Sequence, residues 1–136
     1  MSLNWKTFLK VSWITACLIL AALTLTFSLQ SLADNLDDNQ KIHLAKQVML
    51  AQKCGFCHTL KVQGFDWAAT IGPDLTHQAK RDRSSHWLRL HLKNPEVIPD
   101  AEVEEKFRGK VGLMPSFSHL SEQELNSVIY FLTTLD

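Results

Sequence analysis

The pentapeptide Cys54-Gly55-Phe56-Cys57-His58 holds two of the three cysteines in a chain of 136 residues, with a histidine directly after the second. Three chemistries use two cysteines at this spacing: a redox dithiol, one half of a zinc site, and thioether attachment of haem. Each makes a different demand on the rest of the chain. A redox dithiol expects a thioredoxin-like βαβ setting, and no strand pattern flanks residue 54. A zinc site needs two further ligands at suitable spacing. No cysteine follows the pentapeptide, and the other histidines are scattered through separate segments. Haem attachment gives both cysteines and the histidine a task. Two thiols add across the two vinyl groups of haem, and two intervening residues on a helical turn suit the separation of the vinyls. His58 is then placed as the proximal ligand of the iron.

The N-terminal segment agrees with that reading. Lys6 and Lys10 precede an uncharged run from Val11 to Ala33, and Asp34, Asp37 and Asp38 follow it. This polarity keeps the N-terminus in the cytoplasm and exports residue 34 onward. The run is long enough to span a bilayer, which takes about 20 apolar residues. Its most apolar part is Val11–Leu25, and Thr26, Ser28, Gln30 and Ser31 then make it progressively polar. Ser31-Leu32-Ala33 puts small residues where a signal peptidase reads. A signal peptide cleaved after Ala33 is the expectation, with a retained membrane anchor over 1–33 as the alternative. Ile14-Thr15-Ala16-Cys17 resembles a lipoprotein box, but the apolar stretch that continues past Cys17 argues against lipidation there.

Both readings place residues 34–136 in the periplasm as one domain. The whole chain has 14 basic and 14 acidic side chains. The export segment takes Lys6 and Lys10 with it, so the domain has two more acids than bases and a net charge of −2. Nothing in that balance points to nucleic acid. A domain of roughly 100 residues has a modest core, which a buried prosthetic group would supplement. A disulfide within Cys-x-x-Cys would close too small a loop to stabilise much.

Three helices are legible. The first is expected from about Asn39 to Cys54, with Ile42, Ala45, Val48 and Met49 on one face and Asp37 and Asp38 at its N-terminal end. The second runs from Ser84 or Ser85 to Lys93, opened by a serine cap, closed by Asn94-Pro95, with Trp87, Leu88, His91 and Leu92 inward. The third opens on Ser121-Glu122-Gln123-Glu124, a capping box, and carries the stripe Leu125, Val128, Ile129, Leu132. Glycine- and proline-marked loops join them, and sustained strand alternation is absent. The fold class is all-α, small and rich in loops.

A sixth iron ligand is sought among the methionines. Met49 lies on the first helix and is best taken as a core residue. Met114 lies in Gly112-Leu113-Met114-Pro115, an extended loop before the last helix, and is the expected distal ligand. His119 is the runner-up. His43, His77, His86 and His91 are expected at the surface or rim. Trp87 follows Arg81 and Arg83 and carries an indole N–H that needs a partner if buried.

Taken together, Cys54-Gly55-Phe56-Cys57-His58, then Gly72-Pro73-Asp74-Leu75, then Met114-Pro115 ahead of an amphipathic helix, resemble class I cytochrome c over about residues 40–135. The resemblance implies a helical fold wrapped around one covalently attached haem c, with His58 and Met114 as metal ligands. It implies that the Pro73 carbonyl accepts a hydrogen bond from His58. It also suggests that Trp87 bonds a haem propionate, against the alternative of plain core packing. In the four-helix class of these proteins the attachment motif lies near the C-terminus, unlike here. Cys57-His58-Thr59-Leu60 and the stretch Met114–Glu122 look like the cytochrome c subunit of nitric oxide reductase. Gly72 through Trp87, His91, Asn94-Pro95 and Pro99 looks like haem c subunits of cbb-type oxidases.

The expected function is single-electron transfer in a respiratory chain, with reductases or oxidases as redox partner proteins and no enzyme activity of its own. The alternative is a membrane-anchored electron-entry subunit of a nitric oxide reductase or terminal oxidase complex. A haem peroxidase would need an open iron position, and a gas sensor would need an output domain. Lys53, Lys61 and Lys110 flank the haem motifs and are candidates for a ring around the exposed edge.

Overall fold

Asp37 starts the first element. Its carboxylate accepts from the Gln40 backbone at 2.9 Å while the Gln40 side chain accepts from the Asp37 N–H at 3.0 Å, a reciprocal cap. The computed structural model describes residues 36–136 and, before them, Ile19 alone. The export segment read over 1–33, apart from Ile19, therefore lies outside the described residues. From the Asp37 cap, helix α1 runs over Asp38–Ala51. It stops three residues short of the expected end at Cys54. Lys53 takes a left-handed conformation (φ 59°, ψ 35°), which turns the chain out of the helix. A short 3₁₀ turn, Cys54–Phe56, follows. The cysteines thus sit on a helical turn of their own and not on α1.

Next comes a hairpin that the sequence reading did not contain. Strand β1 (Thr59–Val62) pairs antiparallel with β2 (Phe65–Ala68), with Leu60 opposite Trp67 and Val62 opposite Phe65. Gln63-Gly64 makes the turn, with Gly64 at φ 93°. Four residues per strand give too few alternations to register as a pattern, although Leu60 and Phe65 both face the core. Helix α2 spans Ser85–Lys93, capped by the Ser84 hydroxyl, which accepts from the Trp87 N–H at 3.1 Å. Helix α3 spans Glu122–Thr133 behind the predicted capping box of Ser121 and Glu124.

α1 and α3 pack against each other and form the main core contact. Ala45 and Leu125 are each 0% exposed, and the small Ala45 side chain allows a close approach. The predicted stripes are all inside or against this core: Ala45, Val48 and Met49 from α1, and Leu125, Val128, Ile129 and Leu132 from α3, with Ile42 packed on them. Between α2 and α3 runs a long segment of 3₁₀ turns, pinned by buried Ile98, Phe107 and Phe117. Among the described residues no helix is long and apolar enough to cross a membrane.

The α3 cap gives a first test of this frame. The Ser121 hydroxyl accepts from the Glu124 N–H at 3.3 Å, and Glu124 accepts from the Ser121 N–H at 2.8 Å. Ser121→Ala removes half of the box. It should lower the unfolding free energy by about 1 kcal/mol, measured by urea titration, and leave the cavity described next unchanged.

Candidate functional site

One cavity of about 360 Å³ opens between the 3₁₀ turn after α1, the loop after β2, α2, and the segment before α3. Its size falls in the range of small-molecule and cofactor sites, about 300–1,000 Å³. Cys54, Cys57, His58, Pro73, Trp87 and Met114 all line it. The six residues singled out in the sequence are thus brought to one place. Apolar side chains form most of the remaining inner wall, among them Leu88, Leu92, Phe117, Val128 and Leu132.

The thiol turn is held from both sides. The Cys57 and His58 N–H groups donate to the Cys54 carbonyl at 3.2 and 3.0 Å. A Cβ on Gly55 would lie 2.6 Å from the Trp67 indole, so the hairpin rests directly on the turn. Both cysteines are free. Burial pushes the Cys54 thiol up to about 11, so it is a neutral thiol at ordinary pH. A redox dithiol needs the opposite shift, toward thiolate. Among the described residues no three His, Cys, Asp or Glu side chains gather as a metal-binding group, so the zinc reading finds no second pair of ligands.

His58 is the most constrained side chain of the site. Its Nδ1 lies 2.8 Å from the Pro73 carbonyl oxygen, which makes Nδ1–H the donor and leaves Nε2 with its lone pair free. Burial draws the His58 pKa below the usual histidine value, opposed by the Pro73 bond and assisted by the Arg81 charge, so the ring stays neutral. Gly72 lies against the imidazole: a Cβ there would meet its ring atoms at 2.6 to 3.1 Å. The Gly72 N–H donates to the Cys57 carbonyl at 2.7 Å, so the close approach is fixed by the backbone.

Met114 is half-buried and lines the cavity from an extended stretch just past the Val111–Leu113 turn. The stretch is tied to α2 by the Phe117 N–H, which donates to the Leu92 carbonyl at 2.8 Å, and by the Ser116 hydroxyl on the Lys93 carbonyl. The runner-up His119 does not line the cavity; it is exposed and lies 3.3 Å from the Gln52 side chain. Met49 is a core residue of α1, 1% exposed, and also lines the cavity. Lys53 and Lys110 stand at the cavity, whereas Lys61 is turned to Asp66 at 2.8 Å and does not line it.

Trp87 gives its indole N–H to the Glu102 carboxylate at 2.7 Å. Arg83 lies over the same indole, 4.6 Å from the ring centre, and donates to the Glu102 carbonyl. Arg81 pairs with Glu104 and donates to the Asp74 carbonyl at 2.8 Å. The sequence reading missed Glu102 and Glu104, because contacts across the long 3₁₀ segment carry no periodic signal. It also gave His91 two places, on the inner face of its helix and among the surface or rim histidines. His91 lines the cavity and stacks on Trp87, with ring centres 4.8 Å apart and planes at 16°, so the inner-face reading holds. The helical i, i+4 relation of Trp87 and His91 was the available signal.

A small helical domain that turns a thiol pair, a carbonyl-held imidazole and a thioether into one apolar cavity has the makings of a haem-binding electron-transfer protein. The Cytochrome c family model matches residues 42–136, and the chain belongs to that family. No curated protein and no solved structure matches it. Membership implies haem c as cofactor, electron transfer as the task, and other redox proteins as partners. The donor set fits that cofactor. It offers a neutral imidazole with one free nitrogen, two free thiols next to it in sequence, a thioether, and arginines on the wall for carboxylates.

Proposed function

We propose that this chain is an exported class I cytochrome c that carries single electrons in a respiratory chain. Cys54 and Cys57 would hold one haem c through thioethers, and His58 and Met114 would ligate its iron. When bound, haem c would supply a one-electron Fe(III)/Fe(II) couple, and ligation by both residues would leave the iron no position for a substrate. The observation that carries the reading is the carbonyl-held His58, aimed into a cavity that Cys54, Cys57 and Met114 also line. Pro73 fixes the imidazole tautomer and strengthens its free nitrogen as a ligand. Histidine–methionine ligation raises the reduction potential, because a thioether favours the reduced metal. The apolar wall excludes water. Trp87 contributes a flat apolar surface to that wall; bonding a propionate would require it to exchange Glu102 for the new acceptor.

Exposed Ile71 and Leu113 stand at the cavity with Lys53 and Lys110. They give a partner a small mixed edge of the kind that weak redox encounters use. The periplasmic location rests on the charge asymmetry around Val11–Ala33. The length of that run also supports a second reading, a membrane-anchored electron-entry subunit of an oxidase or nitric oxide reductase complex. Fractionation of the full chain into membrane and soluble pools separates the two.

Acid–acetone extraction of the denatured wild-type protein tests the attachment. The haem should stay with the polypeptide, the native ferric form should show a methionine–iron charge-transfer band and take up no cyanide, and the ferrous form should take up no carbon monoxide, at modest concentration. Complete extraction of the haem would refute the thioethers. Ready binding of either ligand would refute the closed iron.

A further inference from the structure

The His58 side of the cavity is braced by residues that do not line it. Three bonds tie the loop after β2 to the chain that leaves the thiol turn. The Thr59 hydroxyl donates to the Ala69 carbonyl at 2.6 Å. The Gly72 N–H donates to the Cys57 carbonyl at 2.7 Å, and the Leu75 N–H donates to the Thr59 carbonyl at 2.9 Å. A fourth bond continues the series, from the Lys61 N–H to the Thr76 hydroxyl at 3.0 Å. The loop thus lies along β1, and the Pro73 carbonyl that meets His58 at 2.8 Å sits in its middle. Thr59 grips the loop on both sides of Pro73, once with its hydroxyl and once with its carbonyl. Thr59, Ala69 and Thr76 are not among the cavity-lining residues, so these bonds are made behind its wall and not across it.

The grip is itself fixed. Leu60, next to Thr59, is 0% exposed, β1 is paired with β2, and the Trp67 indole of β2 lies against Gly55 in the thiol turn. The hairpin therefore joins the thiol turn to the loop that holds the imidazole. Of the three bonds around Pro73, only the one to Ala69 is made by a side chain, so it is the one that residue type can tune. Strand preference does not account for the hydroxyl, because valine suits a strand as well as threonine does.

We propose that Thr59 is a positioning residue for His58, whose hydroxyl sets the place of the loop and through it the strength of the His58–Pro73 hydrogen bond. The inference rests on the haem reading above. A stronger bond from Nδ1–H makes the imidazole a better donor to a metal. A better donor favours the oxidised iron, so the grip of Thr59 holds the reduction potential down. In Thr59→Val a methyl replaces the hydroxyl. It needs roughly 3.3 Å or more from the Ala69 oxygen, so the loop loses its bond and is pushed off β1.

The test uses the full chain with its haem and compares Thr59→Val with Thr59→Ser, which keeps the hydroxyl. Both should retain covalently bound haem and the methionine–iron band. Thr59→Val should raise the reduced-to-oxidised ratio at fixed ambient potential about twofold, about 18 mV at 59 mV per decade. In the reduced protein its His58 Nδ1–H resonance should move to lower frequency and exchange faster with solvent. Thr59→Ser should match the wild type in both measurements. The sign separates positioning from mere loosening: a fold that admits water favours the more highly charged oxidised iron and lowers the ratio. A lowered or unchanged ratio in Thr59→Val would overturn the proposal, as would an unmoved Nδ1–H resonance or an equal shift in Thr59→Ser. Loss of the methionine–iron band in Thr59→Val would also overturn it, by placing the effect on the Met114 side. If Thr59→Val does not accumulate, Thr59→Ala removes the hydroxyl without pushing on Ala69 and is read in the same way. Loss of haem from the wild type on denaturing extraction would refute the haem reading itself, a separate result.

Discussion

Met114→Ala will turn a closed, low-spin haem protein into a high-spin one whose ferrous form takes up carbon monoxide. Met114 lines the cavity, and the segment behind it is fastened to α2 at Leu92 and Lys93, so its backbone does not collapse inward when the side chain is shortened. His119 is exposed and points to Gln52, too far engaged elsewhere to step in. Met114→His gives the complementary result. The iron stays six-coordinate and low-spin, but a nitrogen ligand no longer favours the reduced state as a thioether does. The reduced-to-oxidised ratio at fixed potential should fall at least tenfold, about 59 mV for one electron. Both are read by absorption spectra and a redox titration. An unchanged spectrum and potential in Met114→Ala would remove Met114 from the iron.

Gly72→Ala should be nearly as damaging although it replaces no predicted ligand. The new methyl would sit 2.6 Å from the His58 ring, inside van der Waals contact. Neither side can retreat cheaply. The Gly72 N–H is bonded to the Cys57 carbonyl, and the ring is held by the next residue's carbonyl, Pro73. Overpacking of this kind costs about 1–3 kcal/mol, and here it falls on the bond that sets the ring's orientation. The variant should carry covalent haem on the intact thiol turn yet show a mixed-spin ferric spectrum and a lowered melting temperature. A wild-type spectrum with only a lowered melting temperature would mean that the ring tolerates the shift and that the Pro73 contact does not govern ligation.

How much of this was legible depended on whether a feature is local. Cys54, Cys57 and His58 lie within five residues, and their chemistry is set by residue type. The caps at Ser84 and Ser121 need only three or four residues, and both helices begin where those caps stand. The α3 stripe survives because four apolar positions repeat at the helical period. Features that depend on one backbone angle or on distant contacts were not legible. The end of α1 is decided by Lys53 in a left-handed conformation that a lysine does not advertise. The hairpin is too short to alternate. His91 was read both as part of the inner face of its helix and as a rim histidine; the stack on Trp87 and the cavity around it decide for the inner face.

The pairing of α1 with α3 has a consequence for the order of events in making the protein. These helices come from opposite ends of the domain, and the cavity wall includes Val128 and Leu132 of α3. A chain emerging N-terminus first therefore exposes Cys54 and Cys57 long before their enclosure can form. Once the domain closes, burial raises Cys54 to about 11 and leaves almost no thiolate. On the proposed reading, assembly thus has a window set by chain emergence: attachment through the two thiols would proceed on the open chain, and arrival of the last helix would shut it.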